Sequence, residues 1–196
     1  MIIEKLNSSP SNKKCKIFIL TGLVIRFIVI PIMQHYSNLS GFPAEFISSQ
    51  LSFNGDVLKS YYAQTNIDYY RISPMLDYFF MFGYGISIFS AILLISRKYE
   101  NQQFKKIGNF MALGAVIAAI CDGIENIFIL IMIADISGFP NVLALLFSTF
   151  ALIKWILLFT SMIWMILMGF FILYKKKIEN VATIWNLVKE RELFAQ

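Results

Sequence analysis

Charged residues are scarce in this chain, and their scarcity excludes an ordinary soluble domain. They make up 15% of the 196 residues, while 58% of the residues are hydrophobic. Soluble domains carry about 25% charged residues. The composition therefore predicts an integral membrane protein. Because no Pro- or Ser-rich linker divides the sequence, residues 1–196 are expected to form one membrane domain.

Residues that build metal, redox and phosphate sites are also few. His35 is the only histidine, and the two cysteines, Cys15 and Cys121, are not arranged as a C-x-x-C pair. The sequence therefore predicts no histidine metal set, disulfide framework or thiol redox motif, and it holds no glycine-rich phosphate loop. We expect no metal and no cofactor, and the sequence assigns no catalytic residue.

The net charge of +5 does not predict a nucleic-acid partner, because the basic residues cluster beside apolar runs. The expected partners are membrane lipids. A protein partner or a homo-oligomer stays open.

Four apolar runs predict transmembrane helices over about 17–34, 74–96, 107–134 and 142–174, followed by a cytoplasmic tail, 175–196. The first run follows a basic segment, as in a signal peptide, but no small-x-small cleavage site follows it, which favours a retained helix. The short loop 136–141 makes the third and fourth spans neighbours. The fold class is thus an all-α membrane protein, an antiparallel four-transmembrane-helix bundle.

Two further amphipathic segments are predicted outside the spans. After Asn54, a plausible helix cap in the connection 34–73, apolar residues recur at helical spacing, which predicts a short helix at the membrane surface or over the bundle. Ile178, Val181, Ile184 and Val188 recur in the same way behind a lysine cluster. They predict an interfacial C-terminal helix.

Basic residues also predict the topology. They are concentrated in the N-terminal segment, in the 97–106 loop and in the tail, and are absent from 136–141. Since cytoplasmic loops are enriched in Lys and Arg, both termini are expected in the cytoplasm of a cell-membrane protein.

Two acids interrupt the third span. Asp122 and Glu125 cost roughly 5 to 7 kcal/mol at the centre of a bilayer, and the apolar residues around them return roughly 4 to 7 kcal/mol. The span is therefore secure only if both acids face protein, water or a positive charge. Asp122, Glu125 and Asn126 share one helix face, because they are spaced at i, i+3 and i+4.

Depth counting supplies partners for these acids. At about 1.5 Å per residue from the outer ends, Asp122 and Lys154 both lie roughly 18 Å deep, Glu125 about 14 Å and Arg26 about 11 Å. We therefore expect Asp122 to pair with Lys154 and Arg26 to lie near Glu125, in a polar layer of two acids and two bases. Asp77, one turn inside the second span, is expected at the rim, where it complements the helix N-terminus.

This layer has two interpretations. It is either structural, fixing helix register, or it lines a site for a lipid or small amphiphile, with Asp122, Glu125, Asn126, Lys154 and Arg26 as candidate binding residues. In both cases the protein would not be an enzyme. The alternative function is a small membrane enzyme or proton-coupled carrier in which Asp122 and Glu125 exchange protons. A closed layer without a cavity would favour the non-enzymatic bundle, whereas an aromatic-lined cavity that opens toward the 34–73 connection and reaches Asp122 would favour the enzyme or carrier.

The D-x-x-E-N motif at 122–126, the internal Lys154 and the run DYFFMFGY at 77–84 resemble a group of uncharacterised four-span prokaryotic membrane proteins. The resemblance covers most of the chain beyond residue 45. It implies the four-span fold and brings no established activity.

Overall fold

The part of the chain that the structure describes is all-helical. The computed structural model describes the backbone of residues 2–194 and the side chains of residues 3–178 and 180. In order, its helices are α1 Ile2–Lys5, α2 Asn12–Ser40, α3 Phe46–Gln50, α4 Gly55–Ala63, α5 Ile67–Tyr70, α6 Ile72–Ser96, α7 Gln102–Met132 and α8 Asn141–Phe194. Among these described helices α2, α6 with the preceding α5, α7 and α8 are long and apolar enough to cross a membrane.

Helices α2 and α7 begin before their apolar runs. The side chain of Ser11 accepts a hydrogen bond from the Lys14 backbone N–H, and that of Asn101 accepts from Gln103. Such caps satisfy N–H groups that the first helical turn leaves unpaired, so the helix extends into the polar flank. At its other end α2 continues past His35 to Gly41, whose left-handed φ of 64° ends it. The predicted limits of 17–34 are therefore too short.

Helix α8 runs without a break from Asn141 to Phe194. The separate C-terminal helix predicted from the sequence is instead a continuation of the fourth span. The amphipathic positions beyond Ile178 on which that prediction rested lie outside the residues whose side chains the structure describes.

The long helices pack in the spatial order α2, α6, α7, α8. One buried apolar cluster gathers around Ile92 and Ala115, and a second gathers around Leu58, Met132 and Phe147. On α7 the residues of the two clusters flank 121–126. The polar layer therefore lies between two apolar regions.

The connection between α2 and α6 folds back onto the helices. As predicted, Asn54 caps α4, accepting hydrogen bonds from the backbone N–H groups of Asp56 and Val57. Leu58 and Tyr62 on α4 are fully buried in the apolar cluster that α7 and α8 also form. The α4 segment therefore covers the bundle residues with its apolar face.

Candidate functional site

Helix α7 presents a polar face in an otherwise apolar run. Asp122, Glu125 and Asn126 are all buried, and Glu125 is fully so. Gly123 lies among them, and a Cβ there would come within 2.8 Å of the Met81 side chain on α6. The small residue thus permits the close approach of α6 that encloses this face.

Lys154 of α8 is the cation that pairs with both acids of this face. Its Nζ lies 2.9 Å from Asp122 Oδ1 and also forms an ion pair with Glu125 Oε2. The predicted pairing of Asp122 with Lys154 agrees with this geometry. The second ion pair follows because Glu125 lies one turn from Asp122 on the same face.

Three residues complete the network, and sequence analysis had not assigned them to it. The Tyr84 hydroxyl donates to Asp122 Oδ2 over 2.9 Å. Gln50 Nε2 donates to Glu125, and Trp155 Nε1 donates to Gln50 Oε1 over 2.9 Å. Gln50 belongs to the connection, so no helical spacing could have placed it here. Tyr84 could have been found, since it lies seven residues after Asp77 on the same helix face.

Asp77 belongs to the buried network and not to the rim. Helix α6 begins at Ile72, so Asp77 lies beyond its first turn. Its carboxylate is 7% exposed and accepts a hydrogen bond from Asn126 Nδ2 over 2.6 Å. The prediction that it complements the helix N-terminus is therefore wrong, because the helix starts earlier than the apolar run suggested.

Arg26 is not where depth counting predicted it. Its guanidinium carbon lies 5.6 Å from the centre of the Phe80 ring, and the cation paired with Glu125 among the described side chains is Lys154. Depth gives the level of a side chain but not its neighbours, and α2 packs against α6, which separates it from Glu125. Within the described side chains the network thus holds three carboxylates and one ammonium group, and not the predicted balance of two and two.

A cavity of about 450 Å³ opens beside this network. Its walls come from α2, α6, α7, the connection and Phe147 of α8, and its lining is largely apolar. Its polar lining includes Gln50, Ser73, Asp77 and Asn126. Asp122, Glu125 and Lys154 do not line it, but Gln50 lines it and donates a hydrogen bond to Glu125. A volume of this size suits a small organic ligand.

Aromatic rings from the connection and from α6 form much of the cavity wall. Phe42, Phe46, Tyr70 and Phe80 line the cavity, and the rings of Phe42 and Tyr70 stack with their centres 4.8 Å apart. Behind them, burial raises the pKa of Tyr62 well above its ordinary value, which keeps that hydroxyl protonated.

The described polar residues of this region are not arranged as a metal site. Among the described residues, no group of three or more His, Cys, Asp and Glu side chains is placed to hold a metal ion. The cavity instead offers apolar and aromatic surface together with a few polar groups that converge at one wall. Comparisons with protein-family models, with curated proteins and with solved structures find no match to this chain.

Proposed function

We propose that this protein is a four-span membrane protein that binds a lipid or small amphiphile in the cavity beside its buried charged layer. The observation that carries the proposal is the cavity itself, which combines aromatic walls with Asp77, Asn126 and Gln50. An amphiphile needs both surfaces, because its tail prefers apolar contact and its head group needs hydrogen-bond partners.

Contacts between neighbouring helices support an antiparallel order of the spans. Ser96, at the end of α6, donates a hydrogen bond to Asn109 near the start of α7. Asp77, near the start of α6, accepts from Asn126 near the end of α7. Helices α7 and α8 are linked in the same opposed order by the pairs Met111–Ser161 and Asp122–Lys154.

The distribution of basic residues supports a location in the cell membrane with both termini in the cytoplasm. In this orientation the connection 34–73, which forms part of the cavity wall, faces the outer side. A ligand would then enter from the outer leaflet or from the outer solution.

The Lys154 ion pairs support a structural role for the deeper part of the layer. Lys154 Nζ, Asp122 and Glu125 are buried and bonded to one another, and they do not line the cavity. The hydrogen bond from Gln50 to Glu125 holds the cavity wall to this core, and Asn126 lies on the same α7 face as the two acids. We infer that the layer fixes the helices around the binding site.

One observation favours the alternative, a small membrane enzyme or proton-coupled carrier. Gln50 lines the cavity and donates a hydrogen bond to Glu125, so the cavity wall is one side chain away from a carboxylate. Ligand-dependent proton movement in proteoliposomes would support this alternative. A bound ligand that moves no proton and is recovered unchanged would support simple binding.

Native mass spectrometry of gently extracted protein tests the binding proposal. The cavity-filling variant Ala44→Trp should lose a co-purifying ligand, because Ala44 lines the cavity. The matched control Ala134→Trp makes the same change at an exposed position outside it. A ligand held by wild type and control but lost by Ala44→Trp supports the proposal. Equal occupancy in all three, or no ligand on any of them, overturns it.

A further inference from the structure

The buried charges beside the cavity do not balance. Lys154 forms ion pairs with Asp122 and Glu125, and neither ion pair includes Asp77. The hydrogen-bond partner of Asp77 is the neutral amide of Asn126. Among the described side chains, Asp77 is therefore bonded to a neutral amide, whereas Asp122 and Glu125 are bonded to the Lys154 cation.

Asp77 is also the one of these three carboxylates that lines the cavity. It lines the cavity, whereas Asp122 and Glu125 do not, and it is the charged residue among the described side chains of the lining. Ser73, one turn earlier on α6, also lines the cavity. Its hydroxyl oxygen, Oγ, is shielded from solvent and has no hydrogen-bond partner within the described part of the chain. A charge and an unused hydroxyl thus lie at one wall.

The rings around this wall suit a positive group. Phe42, Phe46, Tyr70 and Phe80 line the same cavity. Aromatic faces attract ammonium groups, and the attraction is stronger where water is excluded. The chain already uses this interaction nearby, since Lys154 Nζ lies 5.7 Å from the centre of the Phe46 ring.

We propose that the head group bound in this cavity is an organic ammonium ion, which pairs with Asp77 and lies among the aromatic rings. This inference rests on the proposed function and names the chemical class of its ligand. The ammonium supplies the charge that Asp77 lacks, and its N–H groups reach the carboxylate and the Ser73 hydroxyl. The apolar lining takes a single chain or ring system, because about 450 Å³ is too small for a whole two-chain lipid.

The same wall disfavours an anionic head group. A phosphate or carboxylate would meet Asp77, and the described lining residues hold no cation to offset the repulsion. Arg26, a basic residue in the middle of α2, lies over Phe80 and is not among the lining residues. A neutral alcohol would avoid repulsion but would leave the carboxylate without a counter-ion.

The test compares decylamine, decanol and decanoate, which share one chain and differ in head-group charge. Each is titrated at neutral pH into the full-length protein in a non-ionic detergent, and the bound fraction is read by native mass spectrometry. We expect decylamine to bind about tenfold more tightly than decanol, because the extra free energy of a hydrogen bond between charged groups corresponds to about a tenfold change in affinity. Decanoate should bind least, because its carboxylate repels Asp77. The comparison uses the unaltered protein, so it does not depend on how a variant folds.

Two variants assign the preference to one residue. Asp77→Asn should reduce the amine-to-alcohol ratio to about one, whereas Asp68→Asn, the same change at an exposed position, should leave it unchanged. Asp77→Glu, which keeps the charge, should retain a preference for the amine. A preference that survives in Asp77→Asn would overturn the role of Asp77.

The outcomes separate this inference from the function on which it rests. If the three probes bind equally and Ala44→Trp abolishes binding of all three, the cavity binds amphiphiles but the ammonium assignment is wrong. If none of them binds the wild-type protein, both proposals fail.

Discussion

Lys154 is the single cation that two buried carboxylates share. It is 3% exposed and lies between Asp122 and Glu125. A buried ion pair contributes little net stability against an apolar replacement of both partners, but removing one partner leaves a charge without compensation. The stability of the bundle should therefore depend on the summed charge of Lys154, Asp122 and Glu125 and not on any one of these residues.

We expect Lys154→Met to lower the free energy of unfolding by about 3 to 5 kcal/mol, because both carboxylates lose their counter-ion. Adding Asp122→Asn should restore part of the loss, and adding Glu125→Gln as well should restore more. Thermal unfolding in detergent measures the series. If the single, double and triple variants unfold at the same temperature, Lys154 does not act through these acids.

The sequence predicted part of this site because the residues on one helix keep fixed spacings. The face formed by Asp122, Glu125 and Asn126 follows from i, i+3 and i+4 spacing, and Lys154 was found by counting depth on the neighbouring span. Arg26 was misplaced because depth carries no information on which helices touch. Gln50 could not be predicted, since its position depends on how a connection folds back.

At the scale of helices, glycine sets how closely α2 and α6 pack. A Cβ added at Gly22 would collide with the backbone carbonyl oxygen of Gly83, and it would come within 2.9 Å of the Ser87 Cβ. A backbone atom cannot move aside as the end of a side chain can. The contact between α2 and α6, which forms one side of the cavity, therefore requires the absence of a side chain at position 22.

We expect Gly22→Ala to destabilise the protein by about 1 to 3 kcal/mol, the usual cost of overpacking. Gly169→Ala is the matched control, because a Cβ there would meet the Ile95 side chain at an ordinary 3.7 Å. Alanine favours a helix by about 0.5 to 1 kcal/mol over glycine, so the control should be neutral or more stable. Thermal unfolding of both variants decides the matter. If Gly22→Ala and Gly169→Ala unfolded at the same temperature, α2 would have shifted to accommodate the methyl group.

Helix limits were harder to predict than helix positions. Apolar runs located all four long helices, but Ser11 and Asn101 extend α2 and α7 into polar sequence. In α8 the chain passes through three lysines without a cap or a break. Composition reports which part of a helix favours lipid, whereas hydrogen bonding at its ends decides where it begins and stops.

At the scale of the whole molecule, the uneven distribution of Lys and Arg between the two ends of the bundle predicts which side of the membrane the cavity faces. Residues of the connection 34–73 line the cavity, and this connection contacts the segment around the basic-poor loop 136–141, since Gly55 N–H donates to Asn141 Oδ1. If the positive-inside rule holds for this chain, ligands reach Asp77 from outside. If the chain is inverted, the same cavity faces the cytoplasm, and the source of its ligand changes with it.

Labelling of introduced cysteines measures the orientation directly. Cys15 and Cys121 are buried and are first replaced by alanine, and a single cysteine is then placed at Ser137 or at Gln102, both exposed. In intact cells a membrane-impermeant maleimide should label Ser137→Cys at once, and Gln102→Cys only after permeabilisation. The reverse pattern would place both termini outside. Because the two positions lie at opposite ends of α7, labelling of both from outside would contradict a span between them.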